Sequence, residues 1–183
     1  PMSEATVPES SSVLAWPAPV RRVVDTLAQL GHPHTPVMLD DAARTAQQAA
    51  DALGVALGQI AKSIIFRRKA DDVAVLVVTS GDLRVDEKKV QALVCTDGGK
   101  LGRADADFVK ARTGFSIGGV SPVAHAQPPV TLIDEQLFRF ETIWAAAGHP
   151  HAVFRLSPAE LVTLTGAPVC DVTVVATQEP SHA

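Results

Sequence analysis

Apolar and polar positions along the chain fall into two rhythms. Val20, Val23, Val24, Leu27 and Leu30 recur every three or four residues, which places them on one helical face, and Gly31 stands where such a helix is capped. Residues 35–39 predict a short strand limited by Pro36. Asp40 or Asp41 is suited to cap a second helix, whose Ala-rich body passes through Gln47, Ala50 and Leu53 to Gly54. Residues 59–66 then read as a strand. The charged turn 67–72 and the apolar run 73–78 make it the first half of a hairpin whose second strand is buried on both faces.

Side chains of a strand alternate between faces, so Ile60, Lys62, Ile64 and Phe66 share one face while Ala61, Ser63, Ile65 and Arg67 share the other. Lys62 thus stands among three large apolar residues. Burying an ammonium without a partner costs several kcal/mol or forces its pKa down. The lysine therefore reaches a solvent-filled cleft, binds an anion, or guards an exposed sheet edge.

Beyond the hairpin, Asp86 can cap a helix bearing Lys88, Lys89 and Val90, and a further helix over 104–112 stops at Gly114. A glycine-rich loop, 113–122, precedes a strand at 129–133 and one helical turn at 135–138 capped by Asp134. Strands at 141–145 and 152–156 flank the turn Gly148-His149-Pro150-His151. Ser157, Pro158 and Glu160 form a capping-box helix start, the helix ends at Gly166, and a last strand covers 169–175. Interleaved elements with hairpin-length connections in the second half predict an α+β fold, one domain with a central mixed, curved sheet flanked by helices. Residues 1–17 read as a flexible Ser/Pro/Glu-rich segment, 18–176 as the domain and 177–183 as a polar tail.

Composition narrows the function classes. The chain has 183 residues, 46% of them hydrophobic, enough for one core, and its net charge of -4 provides no basic field for duplex DNA. A grip on one RNA end needs only local cations; Arg67, Arg68, Lys69, Lys88, Lys89, Arg103, Lys110 and Arg112 are either such a phosphate-binding rim, if several converge near Lys62, or an ordinary solvated face. Cys95 and Cys170 have no zinc spacing and read as buried thiols in a reducing, cytoplasmic setting. No apolar run has membrane-span length, and the start of the chain lacks a signal-peptide layout.

Walker, GxGxxG, GxSxG and HExxH signatures are absent. Three features remain. One is Lys62. The second is the loop Gly118-Gly119-Val120-Ser121-Pro122, whose glycines allow positive φ and close ligand approach and whose amides can hold an oxyanion, or which is an ordinary turn. The third is the Gly148-His149-Pro150-His151 turn, readable as a rigid turn, a pocket wall or two ligands of a metal that would need more. The same four residue types at 31–34 have unmatched flanks and make no repeat.

Taken together, residues 59–66, 80–86, 113–122 and 144–154 resemble, in order, the bacterial YbaK family, free-standing relatives of the editing domain inserted in prolyl-tRNA synthetase. The resemblance covers roughly residues 20–175. One position departs: Ala124 stands where relatives often place glycine before a histidine such as His125.

The resemblance implies a cytoplasmic deacylase that hydrolyses the ester joining a wrong small amino acid (Ala, Ser, Thr or Cys) to the 3′ end of a tRNA, with no metal, cofactor or covalent intermediate. It makes Lys62 the key lysine, holding the terminal adenosine's phosphate or polarising the ester. Gly118 and Gly119 become catalytic backbone donors. Ile60, Ser63, Phe66, Val120, Ser121, Pro122, Gly148, His149, Pro150 and His151 become substrate-binding residues. The mischarged acceptor end is the implied partner, with an aminoacyl-tRNA synthetase as a further one, and neither duplex DNA nor a membrane is among them. Two other readings stand beside it: a noncatalytic module that binds tRNA or a synthetase, and a metal-dependent hydrolase using His149 and His151.

Overall fold

The computed structural model describes residues 14–40 and 43–174. Helix α1 (Ala18–Gln29) buries Val20, Val23 and Leu27, as its spacing predicts, whereas Leu30 is its C-cap and faces solvent. Strand β1 (Val37–Met38) follows. Helix α2 (Ala46–Leu53) is capped by Thr45 rather than by Asp40, and Asp41 lies outside the described residues. Thr45 and Gln48 complete a reciprocal capping box, which satisfies two amide donors where Asp40 would satisfy one, and Gly54 closes the helix with φ 72°. A single 3-10 turn (Leu57–Gln59) leads into β2 (Ile60–Arg68), which forms the expected hairpin with β3 (Val73–Ser80).

Helix α3 (Glu87–Val94) is capped by Asp86, and α4 (Ala106–Thr113) by Asp105, with Gly114 closing it. Strand β4 (Leu101–Arg103), between them, is too short and too polar to stand out in the sequence. Strand β5 (Val130–Asp134), a 3-10 turn (Glu135–Arg139), β6 (Ile143–Ala146), β7 (Ala152–Leu156), α5 (Pro158–Thr165) and β8 (Val169–Cys170) complete the order. The last strand is shorter than its apolar run predicts. The buried Asp134 carboxylate accepts the Val172 amide at 3.0 Å and draws the chain out of the ladder, and Val175 lies outside the described residues.

The eight strands form one mixed sheet, ordered β1-β7-β6-β2-β3-β5-β8, with β4 on β2. Helices α1, α4 and α5 send Val20, Val109 and Leu161 into the main core with Leu76 and Val78 of β3; Val90 and Val94 of α3 close the opposite face over Val75 and Val77. Both faces of β3 are therefore buried, as its continuous apolar run requires. A third, smaller cluster joins Ala49 and Ala50 of α2 to Ile60. On Lys62's face of β2, then, one end is covered by α2 and the other by α3, and the lysine lies between the two lids.

Candidate functional site

Strand β2 is an interior strand, so the edge-guard reading of Lys62 does not hold. Strand β3 pairs with it from Ala61 to Arg68, leaving its other edge to β6 and β4. Strand β6 contacts that edge at Ile60 and Ala61, and β4 at Phe66, Arg67 and Arg68. Residues between them face a gap in the ladder. Gly81 donates to the Ile60 carbonyl at 2.7 Å, so even-numbered residues bond to β3 and the main-chain groups of Ser63 and Ile65 turn toward the gap.

A cavity of about 300 Å³ opens there, at the small end of ligand sites. It gathers Ile60, Lys62, Ser63, Gly118, Val120 and Pro150, all singled out in the sequence. A smaller recess of about 190 Å³ continues it between Ser63, Ile65, Gly118 and Val120. Residues from both faces of β2 reach these spaces because the ladder is interrupted. The Ser63 hydroxyl is buried with no partner among the described residues, an arrangement that normally calls for a ligand or water.

Lys62 donates to the Leu83 carbonyl at 3.1 Å. Desolvation pushes its ammonium below the usual lysine range, and the nearby Asp82 carboxylate opposes that shift. Asp82 is itself held by Arg139 at 3.0 Å, whose guanidinium lies over the Phe140 ring. The lysine is thus a partly dehydrated cation with a donor to offer.

The glycine loop folds as a turn in which Gly119 donates to the Ser116 carbonyl at 3.0 Å and Gly118 takes φ 93°. The Gly119 amide is therefore engaged within the loop, while those of Gly118 and Val120 have no acceptor among the described residues. Gly119 instead provides closeness: its Cα abuts the backbone of Gly148 and His149. Gly148, at φ 98°, lies against Pro19 at the start of α1. The loop and the histidine turn are packed together as one wall.

Other sequence-singled residues lie outside the cavity. Ser121 is buried, its hydroxyl accepting the Val123 amide at 3.1 Å, and Pro122 borders a separate surface hollow beside His125. Phe66 belongs to the α3 cluster. His149 and His151 stack edge to face at 4.9 Å, and His149 Nδ1 accepts the His151 amide at 3.1 Å. Of that turn, Pro150 lines the cavity. Arg44, Thr45, Ala49, Trp144 and Val153 also line it and were not singled out as site residues. The Thr45-x-x-Gln48 pattern, read as a cap, would have marked Arg44 and Thr45 as loop residues free to face a ligand.

Among the described residues, no three His, Cys, Asp or Glu side chains cluster to hold a metal, and no helix is long and apolar enough to cross a membrane. Cys95 and Cys170 are free thiols packed on the α3 cluster, half-buried rather than fully buried as the sequence predicts.

Comparison with known proteins agrees with this fold. The chain is 39% identical over 117 residues to the uncharacterized protein YwhH of Bacillus subtilis (strain 168), covering 64% of this chain and 72% of that one. It is 36% identical over 93 residues to a proline--tRNA ligase of Leuconostoc citreum (strain KM20), covering 51% of this chain and only 16% of the ligase. A crystal structure of a candidate trans-editing enzyme for prolyl tRNA synthetase superposes with a TM-score of 0.81 at 40% identity, covering 88% of this chain and all 100% of that one. The model of the aminoacyl-tRNA editing domain matches residues 40–164, which hold the cavity and strands β2 to β7, and the chain belongs to that family.

Proposed function

We propose that the protein is a trans-editing hydrolase that deacylates tRNA mischarged with a small amino acid, without metal or covalent intermediate. The observation that carries this reading is the cavity of about 300 Å³ lined together by Lys62, Ser63, Gly118 and Val120, with the Gly118 and Val120 amides unengaged among the described residues. An aminoacyl ester is already activated, so orienting a water and stabilising the developing oxyanion is sufficient chemistry. In this reading the Gly118 and Val120 amides receive the oxyanion. Lys62 polarises the ester or holds the terminal phosphate, and Ser63 bonds a polar group of the aminoacyl moiety. Ile60, Trp144 and Val153 bound the side-chain space. Small amino acids differ too little in binding energy for one site to separate them, which is why a second, hydrolytic site is useful.

The test is hydrolysis of a panel of tRNAs carrying Ala, Ser, Thr or Cys by wild type and Lys62→Ala. Turnover of at least one species by wild type and its loss in the variant is the expected result. Equal rates for the two proteins would remove Lys62 from the chemistry, and binding of acceptor-end RNA with no turnover of any species would make this a noncatalytic binding module.

A further inference from the structure

Beside the first cavity, a second cleft of about 330 Å³ is lined by Lys62, Ile64, Phe66, Arg84, Glu87 and Arg103. It shares Lys62 and Ile64 with the first cavity, so the two are consecutive stations along β2. Three cations face one carboxylate there, in a chain whose net charge is -4. Three other basic residues nearby are ion-paired: Arg67 with Asp72, Arg68 with Asp71 and Lys89 with Asp171. Arg84 and Arg103 have no carboxylate within ion-pairing distance among the described residues.

Both arginines are delivered by main-chain pairing. Arg103 stands opposite Phe66 in the β2–β4 register, next to the bonded pair Arg67 and Gly102, which puts its side chain on the face that carries Lys62 and Ile64. Arg84 follows Leu83, whose carbonyl holds Lys62, and its own carbonyl accepts the Val174 amide at 2.9 Å. Planar guanidinium forks on fixed backbone suit a phosphodiester, which accepts two parallel N–H bonds.

Resting on the proposed deacylase reading, we infer that this cleft binds the phosphodiester immediately 5′ to the aminoacylated nucleoside, with Arg84 and Arg103 as its ligands. The aminoacyl group then lies in the first cavity, the ester beside Lys62 and the strand's backbone in the second cleft. Recognition is of single-strand phosphate and carries no base preference.

The test compares Arg84→Ala/Arg103→Ala with wild type on two substrates: the mischarged tRNA that wild type turns over fastest, and the same amino acid esterified to adenosine, which has no phosphate. The loss of kcat/KM on the tRNA should exceed that on the nucleoside ester by tenfold or more and appear in KM. The slope of log affinity against log salt should become shallower by about 0.7, the value for one single-strand phosphate. Arg84→Lys/Arg103→Lys should recover part of the loss. Equal losses on the two substrates, or no loss on the tRNA, would overturn the assignment. A separate NMR titration of wild type and the double variant uses the dinucleotide CpA, with adenosine as reference. CpA-specific shifts at Ile64–Phe66 and Arg103 that vanish in the variant support the cleft even if wild type hydrolyses no ester. Shifts identical for CpA and adenosine overturn it even if wild type is active.

Discussion

Gly119 and His149 touch backbone to backbone: a Cβ added to Gly119 would lie 2.8 Å from the His149 Cα and 2.9 Å from its amide nitrogen. Neither atom can move aside as a flexible side chain would, so Gly119→Ala must separate the loop from the histidine turn. Overpacking of this kind costs about 2 kcal/mol or more, equivalent to a Tm fall of roughly 4–8 °C for a domain of this size. Gly118→Ala differs in kind. Its Cβ would meet Pro150 Cγ at an ordinary 3.7 Å, but φ 93° strains an L-residue, at about 1–2 kcal/mol. Thermal melts of the two variants should show the larger fall for Gly119→Ala.

Lys62→Met retains most of the stem volume while removing a desolvated charge. Because burial lowers the lysine's pKa in the folded state, the folded chain binds fewer protons than the unfolded one between that lowered value and the ordinary lysine value. This contribution to stability rises with pH through that window and is absent from the variant. Lys62→Met is therefore expected to melt at or above the wild-type temperature while deacylation falls about 100-fold, the scale of losing one preorganised charge stabiliser. A drop in Tm alongside the activity would mark the lysine as structural.

The legibility of this site divides along the range of the interactions that make it. Lys62 was visible because strand alternation is local, and the caps at Asp86, Asp134 and Ser157 because each needs only the next few residues. The exception is Thr45, whose capping box is equally local but competes in the sequence with the acidic pair Asp40 and Asp41 just before it. What could not be read is long-range register. The gap that opens the cavity exists because β6 and β4 pair with different ends of β2, and Arg103 joins Lys62's face only through its pairing with Phe66. Likewise, Gly119 reads as a free amide donor, and only the folded loop shows its N–H donating to the Ser116 carbonyl.

Ala124 takes φ 67°, a left-handed conformation that costs an alanine about 1 kcal/mol. A glycine would adopt it without strain, though it gains unfolded-state entropy that offsets part of the benefit. Ala124→Gly is expected to raise stability by about 0.5 kcal/mol, measured as a shift of the urea midpoint at constant m-value. A lowered midpoint would show that the methyl group contributes more through packing on the main core, which it touches, than its backbone strain removes.

His125 gives the fold a pH dependence apart from the cavity. Its Nε2 lies 2.6 Å from the Ser121 carbonyl, so that nitrogen carries the proton, and Nδ1 is buried with no partner among the described residues. Burial pushes the imidazole below the usual histidine range; the bond to Ser121 opposes that, and the Arg22 guanidinium adds to it. Arg22 lies over the Phe115 ring, which meets His125 edge to face, so the cation is held near by packing. A depressed histidine pKa means that the unfolded chain binds the proton first as pH falls. The stability due to the neutral ring is thus complete above the ordinary value of 6.5 and is lost as pH drops toward the folded-state value. His125→Phe lacks the titrating group but leaves the Ser121 carbonyl without its donor. It should therefore be less stable than wild type at pH 7, by about 1 kcal/mol, and the gap should narrow as melts are taken down to pH 5. A gap of constant width across that range would mean that the ring titrates alike in the folded and unfolded chains, and a widening gap that it is charged in the folded protein.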